Sequence, residues 1–224
     1  MARAPRLLAA LAGGAVLTTI GAVGIAPALA TPGADQGGGV ADPNAHPGRV
    51  RAQITFTKSP AHPWHSTISW KATRQRVDGS WRVVDRASWR AGSGLPGGSA
   101  TNACVKNHGW LPDGTYSLRQ YDDYAGNLIH GRAFRLSDKH CANGTLRQEL
   151  FIHTEAAAGN AQCADGPGDQ LCRWEYPKIN DYTSHGCIKM APRDILALTR
   201  DYHRFFKAGV RYPMSKVSLV VRTR

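Results

Sequence analysis

The stretch that organises this chain reads Thr183-Ser184-His185-Gly186-Cys187-Ile188-Lys189-Met190, a short polar turn that runs into an apolar segment. Pro192-Arg193-Asp194 follows it and has the form of a helix start, so Cys187 lies on a loop that leads into a helix. Backbone amides at a helix N-terminus lower the pKa of a nearby thiol, and Gly186 lets a second backbone approach the sulfur. The pattern predicts either a reactive thiol or an ordinary turn cysteine in a disulfide, and the rest of the sequence must decide between them.

The first thirty residues predict export from the cell. Arg3 and Arg6 give a positive start, residues 7–29 are apolar and uncharged, and Ala28-Leu29-Ala30 has the small-x-small form of a cleavage site. This pattern is typical of a secretory signal peptide over residues 1–30, and it predicts a secreted protein of the extracellular cell wall. The apolar run is also long enough to span a bilayer, so an uncleaved N-terminal membrane anchor is the alternative.

Two further regions follow the predicted signal peptide. Residues 31–50 are rich in Gly, Ala, Asp and Pro and have almost no large apolar side chain, which is typical of a flexible linker. Residues 51–224 have an ordinary apolar content and a length that suits one domain. We expect this domain to act as a monomer.

The charge of the chain narrows the classes of partner. Lys and Arg number 28 against 16 Asp and Glu, which gives a formal charge of +12. A basic surface favours anionic wall polymers, with an unspecialised basic surface as the alternative. The basic residues are scattered without a dense run, and no nucleic-acid motif occurs, so the sequence predicts no nucleic-acid partner.

The cysteine count bears on the role of Cys187. There are five cysteines, and in an exported protein four can pair while one is left over. Sequence alone cannot choose among the three pairings of the other four. Cys163 and Cys172 bracket a loop rich in Gly, Pro and Asp, which favours a local bridge and leaves Cys104–Cys141 as the second. Each bridge would contribute about 2–4 kcal/mol. The count then leaves Cys187 unpaired and favours a functional thiol.

Alternating apolar residues predict a mainly β domain. Residues 66–90 form the clearest hairpin, with Asp78-Gly79 as its turn and Trp70, Trp81 and Trp89 packed in the core or across strands. Residues 192–206 predict a helix, because their apolar side chains recur at helical spacing. Further strands are expected at 52–56, 115–121, 133–136, 149–153 and 216–222. Short strands, long loops and one helix after the cysteine loop predict an antiparallel β-sandwich or barrel-like fold.

A thiol nucleophile needs a base, and the base needs a group that orients it. Among nine histidines, His153 ends the buried-looking strand 149–153, where a rigid scaffold can aim its ring. His185 lies two residues from Cys187, which is usually too close in sequence for its ring to point at the sulfur. We therefore favour His153 as the base and expect most other histidines to be solvated.

The segment 184–190 resembles the signature of the L,D-transpeptidases, the YkuD-type family. Ile152-His153 is similar to the family's second motif, and Pro112-Asp113-Gly114-Thr115-Tyr116 is similar to its Pro-x-Gly-x-aromatic segment. The resemblance covers about residues 66–222. It implies the L,D-transpeptidase fold and an enzyme that acts on peptidoglycan stem peptides, with no cofactor and no metal.

The resemblance also implies a role for each site residue. Cys187 would attack the carbonyl at the L-centre of the diamino acid before a terminal D-Ala, and D-Ala would leave a thioester. An amine of a neighbouring stem would then attack the thioester and form a 3–3 cross-link. His153 would be the base, oriented by the backbone carbonyl of Thr154, and amides around His185, Gly186 and Cys187 would form the oxyanion hole. The residues expected to contact substrate are Ser184 and Lys189, the latter in place of the family's frequent Arg or Asn.

Two features depart from the family pattern and leave alternatives open. Thr154 stands where Gly or Ser is common, and a longer gap between His153 and Ser184 holds the Cys163/Cys172 loop, for which we expect a lid or rim. One alternative is an L,D-carboxypeptidase that releases the same thioester with water, and another is a non-catalytic wall-binding module. A zinc site is disfavoured, because no HExxH-type spacing occurs.

Overall fold

A computed structural model describes residues 48–224. The predicted signal peptide at 1–30 and nearly all of the predicted linker at 31–50 lie outside the described residues. The elements in chain order are β1 (Val50–Lys58), β2 (Ser66–Gln75), β3 (Trp81–Ala91), β4 (Gly114–Tyr116), β5 (Leu118–Ala125), β6 (His130–Leu136), β7 (Lys139–His140), β8 (Leu146–Arg147), β9 (Phe151–His153), β10 (Ile188–Lys189), α1 (Pro192–His203) and β11 (Val217–Thr223). No helix within residues 48–224 is long and apolar enough to cross a membrane.

The larger sheet has five strands in the order β3-β2-β1-β11-β4. The predicted hairpin forms its edge, since β2 and β3 pair antiparallel and Gly79 takes the left-handed φ of +81° that a tight turn requires. Trp70 is buried against Tyr202 of α1, whereas Trp81 and Trp89 are half-buried. The hairpin prediction is confirmed, and Trp70 is the member of the tryptophan set that lies fully in the core.

The second sheet has four strands in the order β10-β9-β6-β5 and carries the cysteine loop at one edge. Side chains of both sheets and of α1 form one buried cluster that includes Ile54, Phe134, Ile188 and Leu198. The mainly β prediction, with α1 directly after the cysteine loop, is therefore confirmed for the described residues. The packed cluster fixes β9 and β10 rigidly at the edge where the candidate site lies.

The expectation of a purely antiparallel fold is corrected by two strand pairs. β1 pairs parallel with β11, and β9 pairs parallel with β10. Parallel neighbours need a long crossover connection, and the 34 residues between His153 and Ile188 supply one. The long gap that departs from the family pattern is therefore also the connection that makes β9 and β10 parallel.

Three element boundaries differ from the sequence-based ones. The expected strand 115–121 is divided into β4 and β5, because the chain passes from one sheet to the other at Ser117. The expected strand 149–153 is shortened to β9, because Glu149 adopts a left-handed φ of +53°. The expected helix 192–206 ends at His203, and Phe206 beyond it packs on Trp70.

Two disulfides link the four cysteines other than Cys187, and their pairing is the one that the Gly-, Pro- and Asp-rich loop between Cys163 and Cys172 favoured. Cys104 pairs with Cys141 across 37 residues, and Cys163 pairs with Cys172 across 9 residues. Cys187 is the free cysteine of the described chain. Disulfides are characteristic of oxidising compartments, so this pattern points to an extracellular location.

Removing the long-range disulfide should cost more stability than removing the local one. The entropy of closing a loop grows with its length, so a Cys104→Ser/Cys141→Ser variant should lose about 4 kcal/mol of unfolding free energy and a Cys163→Ser/Cys172→Ser variant about 3 kcal/mol. Urea unfolding of the two double variants beside the wild type measures this. A larger loss from the local pair would contradict the loop-length account.

Candidate active site

The pairing of β9 with β10 brings the predicted base and the predicted nucleophile to the same edge of the second sheet. In this parallel pair Ile188 is level with Ile152, and Lys189 is level with His153. Cys187 therefore lies beside the start of β9, and its Sγ is 3.6 Å from the carbonyl oxygen of Glu149. The positive charge of Lys189 acts on both groups.

His153 is held in a defined tautomer. Its ring is buried, with 6% of the residue exposed, and Nδ1 lies 2.9 Å from the backbone carbonyl oxygen of Thr154. Since a carbonyl can only accept, Nδ1 carries the proton and donates it, which leaves Nε2 as an acceptor. This is the orienting contact that the family resemblance implied for Thr154.

Burial keeps the His153 ring neutral. Removal from water is the largest cause that lowers the pKa of His153, to about 3, and the charge of Lys189 lowers it further, while the hydrogen bond to Thr154 opposes the shift. The imidazole is therefore uncharged at neutral pH. An uncharged imidazole with a free Nε2 can accept a proton.

The expected low thiol pKa is corrected by the structure. Cys187 is half-buried, and the desolvation of its sulfur raises the pKa of the thiol to about 11, against opposing effects of the Phe151 amide, Lys189 and Arg147. The helix that was expected to lower it begins at Pro192, five residues further on, beyond the first turn in which a helix dipole is effective. Cys187 is thus a thiol at neutral pH, and its proton has to leave during a reaction rather than before it.

The turn before Cys187 is built by Ser184. Its side chain is buried and its Oγ donates a hydrogen bond to the carbonyl oxygen of Cys187 at 2.6 Å. The same Oγ accepts from the amides of Gly186 at 3.3 Å and Gly94 at 3.4 Å. Ser184, expected as a substrate contact, therefore closes the turn before Cys187 instead.

The same turn leaves two backbone donors available. Within the described chain, the amides of His185 and Cys187 have no hydrogen-bond acceptor.

Arg147 supports this turn and was not identified from the sequence. The residue is 2% exposed, and its guanidinium donates to four backbone carbonyls. Nη2 lies 3.0 Å from the Gly109 oxygen and 3.3 Å from the His185 oxygen, and Nη1 contacts the oxygens of Ala103 and Trp110. One side chain thus ties the loop before β4 to the turn that carries Cys187.

Gly186 is required by the position of Arg147. Gly186 has a φ of +120°, and a Cβ there would lie 2.0 Å from Nη2 of Arg147. A side chain would therefore displace the guanidinium as well as strain the backbone. Gly186 was expected to let a second backbone approach closely. Both the Arg147 guanidinium and the backbone oxygen of Gly109, at 3.1 Å from the position of that Cβ, lie against it.

Replacing Arg147 should destabilise the protein. Arg147→Met leaves four carbonyls without their donor in a part of the chain where water has little access, so we expect a loss of about 3 kcal/mol or more in unfolding free energy. Arg200→Met, on the exposed face of α1, is the matched control and should change stability by less than about 0.5 kcal/mol. Urea unfolding measures both, and equal losses would show that the carbonyl contacts contribute little.

Lys189 is placed differently from its expected role as a substrate contact. The residue is 8% exposed, and its ammonium forms a short ion pair with Glu155, which is 2% exposed. An inward-facing ammonium with a carboxylate partner is not presented to a ligand carboxylate. Its charge nevertheless lies close enough to His153 and Cys187 to act on both.

His185 is exposed, and its Nδ1 lies 2.9 Å from the backbone oxygen of Asn107.

The segment between β9 and the nucleophile turn is packed. Trp174 and Tyr176 both stack edge-on against Tyr182, and the guanidinium of Arg90 lies 3.9 Å from the centre of the Tyr182 ring. The last residues of the segment are fixed to the loop after β3, because the Ser184 amide donates to the Gly94 oxygen. A packed segment next to the site is consistent with the expected rim.

Known proteins similar to this chain were sought by sequence and by structure. No family model, curated protein or solved structure matches this chain.

Proposed function

We propose that this protein is a secreted cysteine L,D-transpeptidase that acts on peptidoglycan stem peptides. The observation that carries the proposal is that the unpaired thiol of Cys187 directly precedes β10, while the buried, neutral His153 ends β9, the parallel neighbour of β10, with its Nδ1 donating to the Thr154 carbonyl. The signature around Cys187 supplies the substrate class by resemblance. The basic chain suits a polymer that carries negative charge.

In the first half-reaction Nε2 of His153 accepts the proton of the Cys187 thiol as the sulfur attacks the carbonyl carbon of the donor stem. The carbonyl π electrons move to its oxygen, and the amides of His185 and Cys187 are the donors that could hold this oxyanion. The oxyanion then collapses, the carbon–nitrogen bond breaks, and His153 returns the proton to the departing D-Ala amine. A thioester remains on Cys187.

In the second half-reaction an amine of a neighbouring stem attacks the thioester carbon. His153 takes a proton from this amine, the carbon–sulfur bond breaks, and Cys187 leaves and recovers its proton. The product is a 3–3 cross-link. If water takes the place of the amine, the same steps give a shortened stem, which is the carboxypeptidase alternative.

The charges of the site suit a neutral resting pair. With the Cys187 thiol and the His153 ring both uncharged, no ion pair has to be kept in a buried site before substrate binds. Negative charge develops only as the sulfur and then the oxyanion form. Lys189 and Arg147 are the cations placed to stabilise that charge.

Incubation of the protein with tetrapeptide muropeptides, followed by mass analysis, tests the proposal. A transpeptidase should release D-Ala and give dimers whose cross-link joins two diamino acids. A carboxypeptidase should give tripeptides without dimers. Unchanged muropeptides, together with a protein that co-sediments with intact insoluble peptidoglycan, would replace the enzyme proposal with the wall-binding module.

A further inference from the structure

A cluster of acidic side chains lies beside Lys189. Glu155, Asp169 and Asp181 each place one carboxylate oxygen within 4.8 Å of the others. Glu155 and Asp181 are 2% and 1% exposed, while Asp169 reaches the cluster from the surface. The three carboxylates carry three negative charges, and Lys189, through its ion pair with Glu155, supplies one positive charge.

Unsatisfied oxygens are concentrated at the same place. Among the described residues, Oε2 of Glu155 and Oδ1 of Asp181 are buried and have no hydrogen-bond partner. Five of the nine such atoms belong to residues 154–155 and 175–181, the two ends of the segment that connects β9 to the turn before Cys187; they lie on Thr154, Glu155, Glu175, Asn180 and Asp181. The Glu175 oxygen is 3.8 Å from the ammonium of Lys178, so four of the five have neither a hydrogen bond nor an ion pair. Buried polar atoms are normally paired, so a concentration of unpaired oxygens indicates a missing partner with positive charge or donors.

The other oxygens of the two buried carboxylates are already used. Oε1 of Glu155 contacts the ammonium of Lys189, and Oδ2 of Asp181 accepts from the amides of Glu175 and Tyr176. These contacts fix both carboxylates in place and leave one oxygen of each unpartnered. A fixed carboxylate with a free oxygen is suited to metal ligation.

The charge balance specifies the missing partner. Three carboxylates and one ammonium sum to −3 + 1 = −2, which one divalent cation cancels. Removing two carboxylates from water is costly unless their charge is compensated.

The ligand type favours calcium. Ca²⁺ takes several carboxylate oxygens of the protein in a flexible shell, whereas Mg²⁺ keeps several waters and is bound by one or two carboxylates. A separation of up to 4.8 Å between the three carboxylate oxygens lies within the span of a Ca²⁺ shell. The set holds neither cysteine nor histidine, so it is poorly suited to zinc.

We propose that Glu155, Asp169 and Asp181 bind Ca²⁺ and so clamp the segment between β9 and the nucleophile turn. Asp169 lies inside the loop that the Cys163–Cys172 disulfide closes, Glu155 follows His153 by two residues, and Asp181 precedes Ser184 by three. The ion would therefore join the loop to both strands of the site. This proposal rests on the carboxylates alone and does not depend on the transpeptidase proposal.

Calorimetric titration and thermal melting of the purified protein test the site, after treatment with a chelator and with CaCl₂ or MgCl₂ added at matched ionic strength. An extracellular site with one competing ammonium should bind with a Kd of about 10⁻⁴–10⁻³ M. At about 10 mM Ca²⁺ the melting temperature should rise by about 5 °C, and Mg²⁺ should raise it much less. Neither heat nor a shift with Ca²⁺ would overturn the site, and an equal shift with Mg²⁺ would overturn its assignment to calcium.

Three variants locate the binding. Asp169→Asn changes an exposed ligand and should fold normally, so its Kd should weaken by at least about tenfold and its Ca²⁺-dependent shift should fall to about 2 °C or less. Asp138→Asn removes an equal charge from an exposed residue elsewhere and should keep the wild-type shift. Cys187→Ala should also keep it, which separates this proposal from the catalytic one. A full shift in Asp169→Asn would show that Ca²⁺ binds at another place.

Discussion

Replacing Cys187 with Ala is expected to abolish D-Ala release from tetrapeptide stems, a loss of at least about 10⁴-fold. The sulfur of Cys187 would form the thioester with the donor stem. The other cysteines of the described chain are paired in disulfides and cannot replace it. Since Cys187 belongs to neither bridge, the variant should keep its fold. Mass analysis of the released products measures the loss, and urea unfolding measures the stability.

Cys187→Ser distinguishes thiol chemistry from packing. A hydroxyl has nearly the size of the thiol but is far less acidic, so the serine variant should also be inactive although it fills the same space. Both variants should resist acylation by a carbapenem, the inhibitor class that the family resemblance implies. Release of D-Ala at the wild-type rate by Cys187→Ala would remove Cys187 from the mechanism.

Much of the fold could be predicted because its signals are local. The β2–β3 hairpin follows from alternating residues around Asp78-Gly79, and α1 follows from apolar residues at helical spacing after Pro192. The disulfides follow from one short Cys-bracketed loop and from counting. None of these predictions requires knowledge of which distant segments meet.

The features that sequence could not predict depend on segments that are far apart in the chain. The parallel pairing of β1 with β11 joins residues more than 150 positions apart, and no turn signal specifies it. Arg147 is a single arginine in a two-residue strand, so no pattern marks it as the support of the Cys187 turn. Its role becomes visible only when three carbonyls of the loop before β4 and one of the Cys187 turn converge on it.

The shift in the pKa of Cys187 was predicted in the wrong direction for the same reason. A cysteine near a helix start has a low thiol pKa when water or a dipole reaches it. Burial at the edge of β9 is a three-dimensional property, and it reverses the shift at Cys187. Lys189 was expected to contact substrate, and its pairing with Glu155 could not be inferred from residues 34 positions apart.

The high thiol pKa makes His153 the residue on which activity at neutral pH should depend most after Cys187. His153→Asn keeps an amide donor for the Thr154 carbonyl and removes the acceptor Nε2, so it tests the base rather than the ring's anchorage. We expect D-Ala release at neutral pH to fall by about 10²–10⁴-fold. His62→Gln, at an exposed position, is the matched control and should retain the wild-type rate.

The pH dependence of His153→Asn provides a signature that a merely structural defect would not give. In the wild type, the ring is an available base above its pKa of about 3 and the thiol is protonated below its pKa of about 11, so the rate should be nearly flat through neutral pH. Without the base, only the thiolate can attack, and its fraction rises about tenfold per pH unit towards that upper pKa. The variant should therefore recover activity steadily as the pH rises. A variant rate that stays low and flat across this range would indicate that His153 maintains the shape of the site and does not move the proton.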